Sequence, residues 1–429
     1  MADSGPTEAL SSTAPPTGQL GRQFWRLWTS AGLSNLADGV LKIALPLVAI
    51  RYTQSPTAIA GLAFALSLPW LLFALPAGAL ADRLDRRRAM LGANLVRSTL
   101  LGILVLAVAL DAGSVGLLYV AAFCIGAAET IYDTSAQSIL PKIVGREQLS
   151  RANGRLFAAE ITANQFIGPP LGGILVAASA AAALIVPSAL WIAAIGVLLL
   201  VRGTFRIPRT VRTTLRTDIA EGLNFLWHVR VLRTLAMLTG TFNFANNAVF
   251  AVFVLYAVGP KSAIGLADPA YGLLLTSAAI GSLLGSFLAE RVERMLGRAR
   301  SLVLAILGSA LLVGAPALTT NPVLIGAAFL VGGATIVLWN VVTVSLRQRI
   351  PPDRLLGRVN SAYRLLAWGT MPLGAAAGGV LAQLLGLRAV FAIMAVITLL
   401  MLVVVRRLTD SAINDAEKAA RSGNQGESG

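Results

Sequence analysis

The sequence predicts an all-α integral membrane protein: twelve transmembrane helices in two pseudo-symmetric six-helix bundles. Three observations carry this. Of 429 residues, 56% are hydrophobic and only 13% charged, against about 25% charge in a soluble domain, so water is a poor solvent for most of this surface. Apolar runs long enough to cross a hydrocarbon core about 30 Å thick fall at 27–50, 58–80, 89–110, 115–139, 155–177, 180–202, 234–258, 270–289, 300–318, 322–346, 365–385 and 388–405. The chain also repeats itself. Asn35-Leu36-Ala37-Asp38 returns as Asn243-Phe244-Ala245-Asn246, 208 positions on (243 − 35). Ala81-Asp82-Arg83-Leu84-Asp85-Arg86 returns as Ala289-Glu290-Arg291-Val292-Glu293-Arg294 at the same offset (289 − 81 = 208), and Leu149-Ser150-Arg151-Ala152-Asn153 as Leu356-Gly357-Arg358-Val359-Asn360 at 207 (356 − 149). Three matches in order at nearly one offset argue for a duplicated unit of six spans.

The elements follow in order. Residues 1–22, rich in Ser, Thr and Pro, read as a disordered tail without the basic start of a cleavable signal. Residues 23–202 are the first six-helix bundle and 233–408 the second. Between them, 203–232 is a polar linker in which Thr217–Trp227 has the apolar spacing of an amphipathic surface helix. Residues 409–429 read as a second disordered tail. Arg22 and Arg26 precede the first span; Arg83, Arg86, Arg87 and Arg88 join the second and third; Lys142, Arg146, Arg151 and Arg155 join the fourth and fifth. The linker and the later even-numbered loops continue the pattern, whereas the alternate loops offer Arg51, Lys261 and Arg388. By the positive-inside rule the basic side is cytoplasmic, which places both tails inside a plasma membrane. The net charge of +15 is thus a topology signal, and no nucleic-acid partner is expected.

Several function classes are excluded at this level. The single cysteine, Cys124, lies within the fourth span and reads as packing; the single histidine, His228, lies in the linker without a second ligand nearby. With no Cys/His metal spacing and no phosphate-binding glycine loop, no metal, cofactor or enzymatic activity is expected. Six spans return the chain to its starting side, so the two copies relate by an axis along the membrane normal. A substrate cavity is expected between them near mid-bilayer, opened alternately by rocking of the halves. A monomer handling a small molecule, in contact with protons and membrane lipids, suffices for this.

Gly78-Ala79-Leu80-Ala81-Asp82-Arg83-Leu84-Asp85-Arg86-Arg87-Arg88, between the second and third spans, closely resembles the G-x-L-A-D-R-x-G-R-R signature of the major facilitator superfamily, with Asp85 where the signature has glycine. The resemblance covers nearly the whole chain and implies the major facilitator fold. It further implies a cytoplasmic loop latch between the halves, built from Gly78, Asp82, Arg83, Arg86 and Arg87. On the fifth span, Gly168-Pro169-Pro170-Leu171-Gly172-Gly173 is similar to the G-P-x-x-G-G motif of antiporters and exporters in the superfamily, with Gly168, Pro169, Gly172 and Gly173 as its signature positions. Glycines let helices approach closely and proline bends the helix. Together these motifs look most like the macrolide-efflux and siderophore-exporter branch, which implies export of a drug-like or siderophore-like molecule. An importer, or a non-transporting sensor on the same fold, is the alternative.

Ionisable residues within the hydrocarbon are costly and mark pathways. The first span carries Asp38 with Lys42 one turn later, on one face. The third carries Arg97, the fourth Glu129 and Asp133, the fifth Glu160. All lie in the first half, so proton handling is expected there: Glu129 first, Asp38 second, with Asp133 and Glu160 as further carboxylates and Lys42 and Arg97 as charge partners. A carboxylate whose cationic partner moves during rocking gains and loses a proton in each cycle. Asn243, Asn246 and Asn247 on the seventh span, Trp70 on the second, and Trp339 and Asn340 on the tenth are the candidate cavity lining, suited to a large amphipathic ligand.

Overall fold

A computed structural model describes residues 20–83, 85–145, 148–203, 205 and 215–426, with side chains described outside 74–83, 137–138, 150, 215–219, 353–354 and 419–426. The first bundle comprises α1 (Arg22–Ala49), α2 (Pro56–Arg83), α3 (Arg86–Ala109), α4 (Val115–Ile139), α5 (Leu149–Ile161), α6 (Gly168–Ala178) and α7 (Ala180–Leu199). The linker contains α8 (Leu215–His228). The second bundle comprises α9 (Arg230–Ala257), α10 (Asp268–Leu296), α11 (Arg298–Leu318), α12 (Pro322–Arg349), α13 (Asp353–Trp368), α14 (Thr370–Leu385) and α15 (Leu387–Val405), and α16 (Asp410–Gly426) follows.

Eleven helical runs among the described residues are long and apolar enough to cross a membrane. The fifth span, not one of these, is broken: α5 passes into a π-helical turn over Thr162–Ile167 before α6 begins at Gly168. Pro169 and Pro170 have no N–H to give the carbonyls four residues earlier, which lie inside that turn, so the regular ladder cannot run through. Its counterpart, the eleventh span, is divided at Gly369 between α13 and α14.

The glycines of these two broken helices repeat the same packing. Gly168 and Gly172 lie against α1, where a Cβ on Gly168 would stand 2.6 Å from Gly39 Cα; Gly173 lies against the backbone of Asp268 and Pro269 in the other half. At positions 206 further on (374 − 168, 378 − 172, 379 − 173), Gly374 and Gly378 lie against Phe244 and Ala248 of α9, and Gly379 against Thr57 and Ala60 of α2. In each copy two glycines seat the helix within its own bundle and the third seats it on the opposite bundle.

The apolar core has a corresponding asymmetry. On the side away from the basic loops, here the far side, one buried cluster joins both bundles, from Leu45, Val48 and Ile59 to Val252, Phe253 and Phe391. Toward the basic side the core divides in two. One part belongs to the first bundle (Phe24, Met90, Tyr132, Leu198) and the other to the second (Leu235, Ile306, Leu346, Val359). The bundles are therefore sealed at the far end.

Two peripheral segments are ordered by charge. In the linker, Glu221 of α8 pairs with Arg358 of α13. The tail read from sequence as disordered is instead helical over Asp410–Gly426: Asp410 Oδ1 accepts from the Ala299 amide at 3.0 Å, and Glu417 accepts from Arg298 at 2.9 Å. Alternation of Ile413 and Ala416 with Asp415, Glu417 and Lys418 gives this segment an apolar face, and Ile413 is fully buried.

Candidate functional site

A cavity of about 400 Å³ lies between the bundles, walled by Lys42 and Leu45 of α1, Leu66 and Trp70 of α2, Glu129 of α4, and Asn247 and Phe250 of α9. Most of its surface is apolar, and the polar groups converge from both halves. Its size falls at the lower end of the range for pockets that take drug-sized molecules. Trp70 reaches across the interface to Trp368 of α13, ring centroids 5.4 Å apart and nearly perpendicular, and Arg364 lies 5.0 Å over the Trp368 ring.

The charged residues of the first half divide into two sets. Asp38 does not pair with Lys42. Its Oδ1 accepts from Arg97 Nη1 at 2.7 Å, Arg97 Nη2 donates to Asn94 Oδ1 at 2.9 Å, and the fully buried guanidinium lies between the rings of Tyr132 (4.8 Å) and Trp191 (4.9 Å). Such a pair, desolvated and in contact with two aromatic rings, is a strut of the first bundle. Lys42, one turn along α1, is exposed on the cavity wall and donates to Asn164 Oδ1 at 3.0 Å. The π turn places Asn164 opposite Lys42, and its backbone packs on Gly39.

Glu129 lines the cavity beside Lys42 and lies within electrostatic range of Asp38, Arg97 and Glu160. Glu160 is exposed and lies within electrostatic range of Lys42. Asp133, one turn beyond Glu129, lies within range of Arg97 and of Arg364 in the other half.

Other candidates are placed differently. Trp339 is buried in the second bundle's own core, its indole donating to Thr239 Oγ1 at 3.1 Å, because Thr239 and Tyr363 supply the polar partner an interior tryptophan needs. Asn243 donates to the Ala367 carbonyl at 2.8 Å and so ties α9 to α13. Asn246 is half-buried and Asn340 exposed, and neither belongs to the cavity wall. Asn247 and Trp70 do. Sequence reasoning overlooked Asn164 and Trp368. The signal for Asn164 was present: an amide in an apolar span one turn before the glycine–proline motif.

At the loop motif, the side chains of Gly78, Asp82 and Arg83 lie outside the described residues, and Arg86 is buried. Arg87 donates to the carbonyls of Leu198 (3.1 Å) and Leu199 (2.7 Å), capping α7 of its own bundle. Asp85 caps α3 through the Arg88 amide at 3.1 Å and also accepts from Phe205 at 2.8 Å. A glycine could do neither. At the far face, Arg51 donates to the Val176 carbonyl at 2.8 Å and stands 4.0 Å from Asp268 across the interface.

Comparison with known proteins agrees with this architecture. The chain matches the family described as transmembrane secretion effector over residues 11–426. It is 30% identical over 386 residues to the multidrug efflux pump Tap of Mycolicibacterium fortuitum, covering 84% of this chain and 89% of that protein. Tap of Mycobacterium tuberculosis is 31% identical over 391 residues, covering 86% and 88%. Among solved structures, a bacterial homologue of the iron transporter ferroportin in an inward-facing state superposes with a TM-score of 0.70 at 16% identity, covering 93% of this chain and 99% of that one. The nucleoside transporter NupG gives 0.70 at 11% identity, covering 90% and 99%. At such identities the structures speak to fold alone; with the family match, the chain belongs to the transmembrane secretion effector family of major facilitator superfamily transporters.

Proposed function

We propose that the chain is a proton-coupled exporter of amphipathic, drug-like molecules that works by alternating access. The observation carrying this reading is the joint arrangement of core and cavity: one far-side core spans both bundles, two separate cores lie toward the basic side, and Glu129 and Lys42 stand on the cavity wall between. With the basic face assigned to the cytoplasm by the positive-inside rule, this is the state that loads substrate from inside. The tails are then cytoplasmic, and the unit is a monomer in the plasma membrane.

The charge layout supports a division of labour. Asp38 and Arg97 neutralise one another and stay paired. Glu129 takes and gives up the proton, with Lys42 and Glu160 setting the field in which it does so. An ionised Glu129 attracts a cationic amphiphile whose apolar body rests on Leu66, Trp70 and Phe250; protonation of Glu129 releases it. Export as the direction rests on the similarity to the Tap pumps and on the Gly-Pro motif at α6. One elementary charge crossing 100 mV gains about 2.3 kcal/mol, enough to bias such a cycle.

Everted vesicles containing the full chain test this. An imposed proton gradient, acidic in the lumen, is expected to drive a fluorescent lipophilic cation into the vesicles, and a protonophore to abolish that uptake. Uptake that survives the protonophore contradicts the proposal.

A further inference from the structure

A second concavity, of about 630 Å³, lies away from the central cavity, where the basic-side halves of α1 and α5 part. Its mouth carries Trp25 and Arg155; its floor is made by Gly32 and Leu36 of α1 with Ala159 and Ala163 beyond Arg155. The groove ends near Ile167, just before Gly39 and Gly168 close the two helices together. The Arg155 guanidinium carbon lies 5.0 Å from the centroid of the Trp25 ring, and the described residues place no carboxylate on it. Trp28 donates to the Arg155 carbonyl at 3.0 Å, which fixes the position of the arginine on the rim. Trp25 and Ile167, at the two ends, leave 42% and 50% of their surfaces uncovered.

The dimensions are those of one leaflet. From Arg155 to Ile167 a helix advances about 18 Å at about 1.5 Å per residue, and half of a hydrocarbon core about 30 Å thick is about 15 Å. A tryptophan at the mouth belongs at the headgroup level. An arginine there, held against an aromatic face and otherwise open, is suited to a phosphate oxygen. A free phosphate ion would use the mouth and leave the apolar floor empty; the depth calls for an acyl chain.

We propose that this groove holds one anionic phospholipid of the basic-face leaflet, its phosphate on Arg155 and one acyl chain along Gly32, Leu36, Ala159 and Ala163. The lipid wedges between the basic-side halves of α1, which carries Lys42, and of the α5–π segment, which carries Asn164. It is distinct from the transported molecule, and the inference stands whether or not export is proton-coupled.

Gly32 suits the test, because a Cβ there meets nothing within 4 Å; Gly32→Leu puts side-chain atoms onto the floor from an unobstructed Cβ. The full chain is reconstituted in nanodiscs of phosphatidylglycerol and phosphatidylcholine, extracted in mild detergent and examined by native mass spectrometry. The wild type is expected to retain one phosphatidylglycerol per chain. Retention is expected to fall about tenfold in Gly32→Leu and in Arg155→Gln at unchanged melting temperature, and millimolar inorganic phosphate is expected not to displace the lipid. Equal retention in the wild type and both variants overturns the proposal, as does displacement by phosphate, which would leave an anion site only. Unchanged retention with a raised KM for a lipophilic cation in Gly32→Leu also overturns it, and would make the groove a substrate entrance.

Discussion

Asp38 of α1 and Arg97 of α3 form a 2.7 Å ion pair inside the first bundle, and the rings of Tyr132 and Trp191 both lie within 5 Å of the guanidinium carbon. The residue one helical turn from Asp38, Lys42, turns instead to the cavity. This separation sets the charges paired inside the bundle apart from the charge that stands on the cavity wall.

Removing one partner of the buried pair strands the other. Asp38→Asn and Arg97→Gln are each expected to cost about 3–5 kcal/mol, read as a large fall in the melting temperature of the purified protein. The double variant is expected to cost clearly less than the sum of the two. Additive losses would show that the two residues do not act as a pair.

Asp85 stands where the superfamily motif has glycine, and it holds both the start of α3 and the Phe205 amide. Asp85→Ala is expected to cost about 1 kcal/mol or somewhat more, whereas Asp85→Asn is expected to retain part of the capping. In the second half the start of α11 is capped instead from α16, where Asp410 accepts from the Ala299 amide. Asp410→Ala is therefore expected to destabilise by a similar amount, and thermal melting of the three variants checks both statements.

Gly173 meets backbone of the opposite bundle, so a larger side chain there cannot be relieved by a rotamer change. Gly173→Val is expected to abolish transport while the protein still folds, and to speed thiol labelling of a cysteine introduced at Ser262 in the far-face loop. Gly92→Ala, with open space around its Cβ, is the control and is expected to match the wild type in both assays.

The fold was legible in the sequence because bilayer thickness and the duplicated motifs impose long-range order that composition alone records. Of the residues the sequence offers as cavity lining, Trp70 and Asn247 are on the wall, and Glu129 and Lys42, offered as a proton site and a charge partner, stand there with them. For Trp339 and Asn243 the same residue types serve as well in a bundle's own core, and the choice depends on which neighbours, Thr239 and the Ala367 carbonyl, are within reach. The Asp38–Arg97 pair was half visible. Helical spacing favoured Lys42 as the partner, but burial between Tyr132 and Trp191 brought Arg97 in from another helix. The latch role of Arg87 came from the resemblance of the loop motif; in the structure its guanidinium donates to the carbonyls ending α7, a local partner the motif does not announce.

Lys42 is expected to set charge preference. Lys42→Met removes a cation from the cavity wall beside Glu129, so apparent affinity for a monovalent cationic dye is expected to rise by up to about tenfold and that for an uncharged analogue to change little. Equal shifts for both dyes would assign Lys42 to packing.

The most direct test of the central claim compares two modes of transport in one variant. Glu129→Gln, reconstituted in proteoliposomes, is expected to lose transport driven by a pH gradient and to retain gradient-free exchange of a labelled for an unlabelled uncharged analogue, whose binding does not call on the carboxylate, since the rocking halves and the cavity remain intact. Gradient-driven transport at the wild-type rate in Glu129→Gln would contradict the assignment of the proton to this carboxylate.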